Sequence, residues 1–235
     1  MRRHFLALAL VALAPPALAA SRVTDATFEA TLSRRVVLPY RVWLPEGYAA
    51  KGKAWPAILF LHGSGERGND LSFLARNGPP HVAETRGLPF VVIAPQLPAG
   101  ETWAGDAVLA LLDRVQGALA IDTTRVYLTG LSMGAYGAYE AAIAAPTRFA
   151  ALLTVSGAGN PAEVCKLKGV PTWIVHGAKD DIIPVESGRE MARRLENCKG
   201  DVRWTLEPDE GHDAWTKVYE DPATYEWFLA HRRTP

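Results

Sequence analysis

Three residues have the types and the order that nucleophilic catalysis requires. Ser132 is the central residue of Gly-Leu-Ser-Met-Gly, and Asp180 and His212 each follow a predicted strand. A serine hydroxyl is a weak nucleophile unless a neighbouring base, itself held by a third group, activates it. The pattern G-x-S-x-G between a strand and a helix is typical of a nucleophile on a sharp turn, with the acid and then the histidine later in the chain. We therefore predict that Ser132 attacks, His212 accepts its proton and Asp180 orients His212.

Other residues could take some of these roles. Asp181 is an alternative to Asp180 as the acid, and either carboxylate could instead cap the helix predicted to begin near residue 186. His62 and His176 are interpreted as structural, the first as a brace of its loop and the second as the end of an apolar strand. The histidines lack the spacing of metal ligands and have no cysteine pair nearby, so no metal site and no cofactor are predicted.

Acyl transfer also needs N–H groups that stabilise the negative charge on the carbonyl oxygen. The backbone N–H of Met133, directly after the nucleophile, is one predicted donor. The second is expected in the loop after an earlier strand, His-Gly-Ser-Gly, where Ser64 is the candidate and Gly65 the alternative. This loop lacks the pattern of a phosphate-binding P-loop, which makes phosphate binding a weak interpretation.

Two tryptophans are predicted to bind substrate. Trp215 lies three residues after His212, and Trp103 follows a predicted strand by a short loop. Indole rings near the predicted catalytic residues could stack on an aromatic acyl group or a sugar, although both tryptophans could equally pack in the core. Because no segment is long enough to form a lid, we expect a shallow site that favours short or aromatic acyl groups over long chains.

Strands and helices must position these residues, and the two kinds of element alternate along the chain. Continuous apolar runs bounded by turn residues predict buried strands, and between them lie helical patterns. The predicted strands are 57–61, 89–95, 125–129, 150–156, 171–176 and 202–206, and the predicted helices are 105–120, 133–145, 186–196 and 222–232. Segments 27–32 and 38–44 predict an N-terminal antiparallel hairpin. The sequence thus predicts an α/β fold with a mostly parallel central sheet and helices on both faces.

The composition excludes several classes of protein. Of 235 residues, 49% are hydrophobic, and seven each are Trp, Tyr and Phe, which an intrinsically disordered chain would lack. Lys plus Arg and Asp plus Glu both number 25, so the formal net charge is zero. A neutral chain has no electrostatic surface for nucleic acid or an anionic membrane. A small-molecule partner is expected, with the chain a monomer or a weak dimer.

The first residues have the layout of a secretory signal peptide. Two arginines precede an apolar run, and Ala-Leu-Ala at 17–19 resembles a cleavage site. We expect residues 1–19 to be removed and residues 20–235 to form one domain in the periplasm or outside the cell, without a membrane anchor. An uncleaved N-terminal anchor is the alternative.

The chain has two cysteines, Cys165 and Cys198, on either side of the segment that contains Asp180. In an oxidising compartment they could form a disulfide, which would restrict the unfolded chain. The alternative is two separate, partly buried thiols.

Four ordered motifs resemble the α/β-hydrolase superfamily, and within it the small secreted esterases near dienelactone hydrolases, feruloyl esterases and the prolyl-oligopeptidase catalytic domain. The motifs are LHGSGERG at 61–68, GLSMGAYGAYEAA at 130–142, HGAKDDIIP at 176–184 and GHDAWTKVY at 211–219. The resemblance implies the α/β-hydrolase fold, Ser132 as nucleophile, Asp180 as acid, His212 as base and an oxyanion loop at Ser64. The chain departs from the prolyl oligopeptidases because no propeller domain precedes the motifs.

Together, the residues and the resemblance predict a serine hydrolase that cleaves carboxylic esters through an acyl-enzyme, with a small-molecule or carbohydrate ester as substrate. Two alternatives stay open. One is a serine peptidase of the prolyl-oligopeptidase type, and the other is a hydrolase fold without catalysis that binds carbohydrate.

Overall fold

Seven strands form a single sheet in the computed structural model, which describes residues 35–233. The strands are β1 (Tyr40–Trp43), β2 (Trp55–Leu61), β3 (Val91–Pro95), β4 (Ile121–Leu131), β5 (Ala151–Val155), β6 (Thr172–Gly177) and β7 (Val202–Glu207). They lie in the order β1-β3-β2-β4-β5-β6-β7. β1 is antiparallel to β3, and every other neighbouring pair is parallel. The carboxyl ends of the six parallel strands therefore lie along one edge.

Helices cover both faces of this sheet. They are α1 (Gly78–Arg86), α2 (Gly105–Ala118), α3 (Met133–Ala144), α4 (Val185–Asn197), α5 (Trp215–Glu220) and α6 (Pro222–Ala230). Residues of α2, α3 and α4 share one apolar cluster with the sheet, and residues of α1, α5 and α6 share another. Successive residues of β2 alternate between the two clusters, Leu59 joining the first and Phe60 the second. The alternation follows from the two-residue period of a strand.

The predicted α/β architecture is confirmed, with several differences in detail. The segment predicted as a strand over 38–44 forms β1, whose antiparallel partner in the described residues is β3. Its expected hairpin partner at 27–32 lies outside the described residues, as does the predicted signal peptide at 1–19. The chain divides after Arg35, and the compact unit that follows, Val36–Pro235, contains all the elements above.

Two helices were not predicted from the sequence. α1 begins at Gly-Pro-Pro, a pattern that by itself predicts no helix, yet proline is well accommodated in the first turn of a helix because its missing N–H has no partner there. The other, α5, is a short helix directly after His212.

Cys165 and Cys198 are joined by a disulfide, with their Cα atoms 5.6 Å apart. Cys165 lies in a short 3₁₀ helix, Val164–Leu167, and Cys198 directly follows α4. The bond therefore links the end of α4 to the loop that precedes β6.

Among residues 35–233, no helix combines the length and the apolar character needed to span a bilayer.

Candidate active site

Ser132 occupies the sharp turn between β4 and α3. Its backbone has φ 50° and ψ −122°, a region that a residue with a side chain rarely adopts. Two hydrogen bonds hold this conformation, since the Ser132 N–H donates to Val155 O at 2.9 Å and Ser132 O accepts from the Ala135 N–H at 3.0 Å. The neighbouring strand and the first turn of the helix thus fix the serine in place.

The glycines on either side of Ser132 are required by close backbone approaches. A Cβ atom at Gly134 would collide with the carbonyl oxygen of Leu61, and one at Gly130 would collide with the carbonyl of Gly134. Any larger residue would force the turn away from β2. The G-x-S-x-G pattern therefore has a direct steric cause in this fold.

The structure brings Ser132, His212 and Asp180 into one hydrogen-bonded chain. His212 Nε2 lies 2.9 Å from Ser132 Oγ, and His212 Nδ1 lies 2.8 Å and 3.0 Å from the two carboxylate oxygens of Asp180. A carboxylate only accepts hydrogen bonds, so Nδ1 carries the proton and Nε2 is free to accept from the serine hydroxyl. That tautomer is the one a general base needs.

Asp180 is held by its own loop. Its Oδ1 atom accepts hydrogen bonds from the Ile182 and Ile183 N–H groups, each at 2.9 Å. Burial raises the pKa of Asp180, but hydrogen bonds from His212 and from these two N–H groups outweigh it, so the pKa lies below its ordinary value. The side chain is fully buried, whereas its alternative, Asp181, is exposed.

The loop after β2 lies against Ser132. A Cβ atom at Gly63 would be 3.5 Å from Ser132 Cβ and 2.8 Å from Leu131 Cδ1. Ser64 follows it as the first residue of a short 3₁₀ helix, Ser64–Glu66. Ser64 and Gly65 are exposed, and there is open space around Gly65. Met133 is the first residue of α3, where a helix has no internal acceptor for the N–H. Met133 therefore directly follows Ser132, and Ser64 directly follows the glycine that lies against Ser132.

His62 braces this loop, as the sequence analysis predicted. Its Nδ1 atom is 2.6 Å from Gly63 O, and its Nε2 atom accepts from the Leu97 N–H at 3.0 Å. Burial lowers the pKa of His62 to about 4, with a smaller contribution from the charge of Arg67. The imidazole is therefore neutral at physiological pH and shapes the loop by hydrogen bonds alone.

The position of Trp103 corrects a prediction. The side chain is only 6% exposed, its Nε1–H donates to His62 O at 3.0 Å, and its ring packs beside the His62 ring. A Cβ atom at Gly137 would collide with it, so the glycine of α3 makes the space that the indole fills. The ring is a part of the core behind the loop and has no free face for substrate.

Trp215 lies beside His212. Its ring is perpendicular to that of His212, with the centroids 5.1 Å apart, and the side chain is half-buried. Its Nε1 atom is buried and has no hydrogen-bond partner within the described residues. The indole thus packs both against His212 and against the apolar cluster that α1, α5 and α6 share with the sheet.

His176 makes a contact that the sequence analysis did not foresee. It is fully buried at the end of β6, and its Nε2 atom lies 3.1 Å from Asp180 Oδ2. The available signal was the spacing, because His176 and Asp180 are four residues apart on a strand end and its following turn. Within residues 35–233, no group of three or more potential ligand side chains is placed to hold a metal ion.

One family model and several known proteins are similar to this chain. The phospholipase/carboxylesterase family model matches residues 104–225, which is more than half of the chain. A probable feruloyl esterase C from Aspergillus terreus (strain NIH 2624 / FGSC A1156) is 30% identical over 171 residues, covering 68% of this chain and 62% of the relative. A bifunctional acetylxylan esterase/xylanase, XynS20E, from Neocallimastix patriciarum is 31% identical over 136 residues, covering 54% and 20%.

Among solved structures, a thermostable esterase is 30% identical with a TM-score of 0.77, covering 83% of this chain and 60% of its own. The esterase PE8 is 22% identical with a TM-score of 0.59, which supports the fold. The chain spans less than two thirds of the length of the curated relatives described above.

Proposed function

The chain belongs to the phospholipase/carboxylesterase family of α/β-hydrolases, and we propose that it is a serine hydrolase that cleaves carboxylic esters through an acyl-enzyme. The observation that carries the proposal is the hydrogen-bonded chain from Ser132 Oγ through His212 to the Asp180 carboxylate. His212 lies within hydrogen-bond distance of both the proposed nucleophile and the proposed orienting acid, which is the arrangement that acyl transfer requires.

In the first half of the proposed reaction, Ser132 Oγ attacks the ester carbonyl carbon while His212 Nε2 takes the hydroxyl proton. The imidazolium that forms is stabilised by the buried carboxylate of Asp180. The N–H groups of Met133 and Ser64 are the proposed donors to the carbonyl oxygen as it becomes negatively charged. Such preorganised donors contribute about 3–4 kcal/mol each to transition-state stabilisation.

The attack of Ser132 gives a tetrahedral intermediate. Its collapse breaks the ester C–O bond, and His212 gives its proton to the leaving alcohol. A water molecule then attacks the acyl-serine, with His212 again accepting the proton. The second tetrahedral intermediate releases the carboxylic acid and restores the Ser132 hydroxyl. The residues require no further group for either half.

For substrate, we propose short or aromatic acyl esters, including esters attached to carbohydrate. The names of two relatives, a feruloyl esterase and an acetylxylan esterase/xylanase, support this class. A second observation comes from Tyr136, which is 43% exposed on the first turn of α3, four residues after Ser132. It lines a cavity of about 390 Å³ whose other polar lining side chains are Glu140, Asn160, Glu163 and Lys166. An aromatic ring beside hydrogen-bonding side chains suits a sugar.

A substrate panel tests the proposal. It consists of p-nitrophenyl acetate and decanoate, methyl ferulate, acetylated xylan and a proline-containing peptide anilide. We expect kcat/KM to fall from acetate to decanoate, because methylenes that stay in water add no binding energy. Cleavage of the anilide without any ester would instead support the peptidase alternative. Absence of labelling by a fluorophosphonate probe would support the hydrolase fold without catalysis.

We also propose that the protein acts outside the cytoplasm. The charged and apolar layout of residues 1–19 supports a cleaved signal peptide, and the Cys165–Cys198 disulfide suits an oxidising compartment. N-terminal sequencing of the exported protein should give Ala20 as the first residue. A cell-associated product that retains residue 1 would contradict the proposal.

A further inference from the structure

His176 is a buried histidine that the proposed reaction does not use. Its Nε2 atom lies 3.0 Å from the carbonyl oxygen of Ile183 and 3.1 Å from Asp180 Oδ2. A carbonyl and a carboxylate oxygen both only accept, so Nε2 carries a proton. The His176 N–H therefore donates to Ile183 O at one end of the turn that presents Asp180 to His212, and it lies beside Asp180 Oδ2 at the other end.

The other ring nitrogen of His176, Nδ1, lies against α4. Nδ1 is buried without a hydrogen-bond partner in the described part of the chain, and a Cβ atom at Gly188 of α4 would lie 2.7 Å from it. A proton on Nδ1 would be a buried donor without an acceptor, which is costly. The geometry therefore favours the tautomer with its proton on Nε2, and Gly188 of α4 lies against the far side of the ring.

We propose that His176 is a positioning residue for the catalytic acid, an inference that rests on the proposed function. By binding Ile183 O, it holds the turn whose Ile182 and Ile183 N–H groups donate to Asp180 Oδ1. By lying beside Oδ2, it places a partial positive charge next to the oxygen that accepts from His212. His176 thus sets both the orientation and the basicity of the carboxylate.

Three titratable groups face Asp180 from the surrounding elements. His176 comes from β6, His212 from the loop after β7, and Tyr136 from α3, where burial and then the charge of Asp180 raise the pKa of the phenol. Only His212 exchanges a proton in the proposed reaction. Its protonation is therefore the measurable quantity that a change at His176 should alter.

The test uses His176→Leu, which removes the donor, and His176→Gln, whose amide nitrogen can reach the place of Nε2. Val175→Ala is the matched control. Val175 is equally buried on β6, but it packs in the apolar cluster that α1, α5 and α6 share with the sheet. For each variant, kcat and KM for p-nitrophenyl acetate are measured per active site titrated with a fluorophosphonate. The pKa of His212 is followed by NMR and by the acid limb of kcat/KM.

We expect His176→Leu to lower kcat per active site by about ten- to a hundredfold with little change in KM, because a small displacement of a catalytic group is enough for such a loss. The pKa of His212 should move as well. His176→Gln should recover most of kcat, and Val175→Ala should change only the stability and the fraction of active sites.

A His176→Leu enzyme with an unchanged kcat per active site and an unchanged pKa of His212 would overturn the inference. If that variant does not fold, Gly188→Ala presses a methyl group against Nδ1 from α4 and is judged by the same two readouts. Failure of the proposed function looks different, since the wild-type protein would then hydrolyse none of the esters, whether or not it takes the probe. In that case the pKa of His212 measured by NMR still decides the role of His176.

Discussion

Trp103 donates its indole N–H to the carbonyl oxygen of His62 at 3.0 Å, and the two rings pack edge to face with their centroids 4.9 Å apart. The indole thereby supports from behind the loop that borders Ser132. An aromatic residue that the sequence placed at the substrate is in fact part of the scaffold. Its effect on catalysis should pass through the loop, equally for every substrate.

Trp103→Phe should therefore destabilise the protein without changing its substrate preference. Phenylalanine keeps one aromatic ring, but the buried carbonyl of His62 loses the indole N–H donor, which lowers the free energy of unfolding by about 1–3 kcal/mol. We expect kcat/KM for methyl ferulate and for p-nitrophenyl acetate to fall by the same factor. A selective loss on methyl ferulate of more than about tenfold would show that the indole contacts the acyl group after all.

The acid stability of the fold should depend on His62. Burial lowers the pKa of His62 to about 4 in the folded protein, whereas the unfolded chain has the ordinary value near 6.5. As the pH falls below 6.5, His62 binds a proton in the unfolded chain but not in the folded protein. The free energy of unfolding should therefore fall by up to about 3 kcal/mol between pH 6.5 and pH 4.

Urea unfolding of the wild type and of His62→Gln over this pH range measures the effect. The variant is less stable at pH 7, because it loses the bond to Leu97, but its stability should decline less as the pH falls. Parallel curves for the two proteins would assign the acid sensitivity to other groups.

The elements of the fold and of the nucleophile were predictable because their causes are local. The apolar run of β2 and the glycines around Ser132 are dictated by neighbours in the chain or by one close approach to Leu61. The start of α1 was not predicted, since Gly-Pro-Pro signals an interruption as readily as a first helical turn.

The surroundings of the site were less predictable, because they depend on contacts between distant elements. The sequence gives no measure of which way the Trp103 ring turns, and the space it fills is made by Gly137, 34 positions later. The contact of His176 with Asp180 spans only four residues, but that spacing does not show which way either side chain turns. Order along the chain indicated the three proposed catalytic residues but not the groups that orient them.

Ser132→Ala should abolish ester hydrolysis and leave the fold intact. Loss of the nucleophile of a serine hydrolase lowers kcat by about 10⁶-fold, whereas removing one hydroxyl at the end of a strand hardly affects stability. Ser156→Ala is a matched control, because Ser156 also ends a strand with φ 50° and its buried Oγ has no partner among the described residues. Retention of a tenth of the wild-type rate by Ser132→Ala would refute the mechanism.

The disulfide should stabilise the protein more than it affects the chemistry. Cys165 and Cys198 are 33 positions apart, and closing a loop of this size restricts the unfolded chain by roughly 3–4 kcal/mol. Thiol titration of the denatured, unreduced protein should find no free cysteine. Replacing both residues by alanine should lower the free energy of unfolding by that amount, while kcat measured well below the new Tm stays within about twofold. Two free thiols per chain would exclude the bond.

Gly134→Ala should show that the turn at Ser132 tolerates no side chain behind it. A methyl group there would meet the Leu61 carbonyl, which belongs to a central strand and has no room to withdraw. We expect a loss of about 3 kcal/mol or more, the upper end for overpacking, together with loss of activity as Ser132 is displaced from His212. Gly117→Ala is the matched control, because Gly117 lies on the exposed side of α2 with open space around it, and alanine should stabilise that helix by up to about 1 kcal/mol. Equal melting temperatures and full activity in both alanine variants would mean that β2 and α3 are not in contact at this turn.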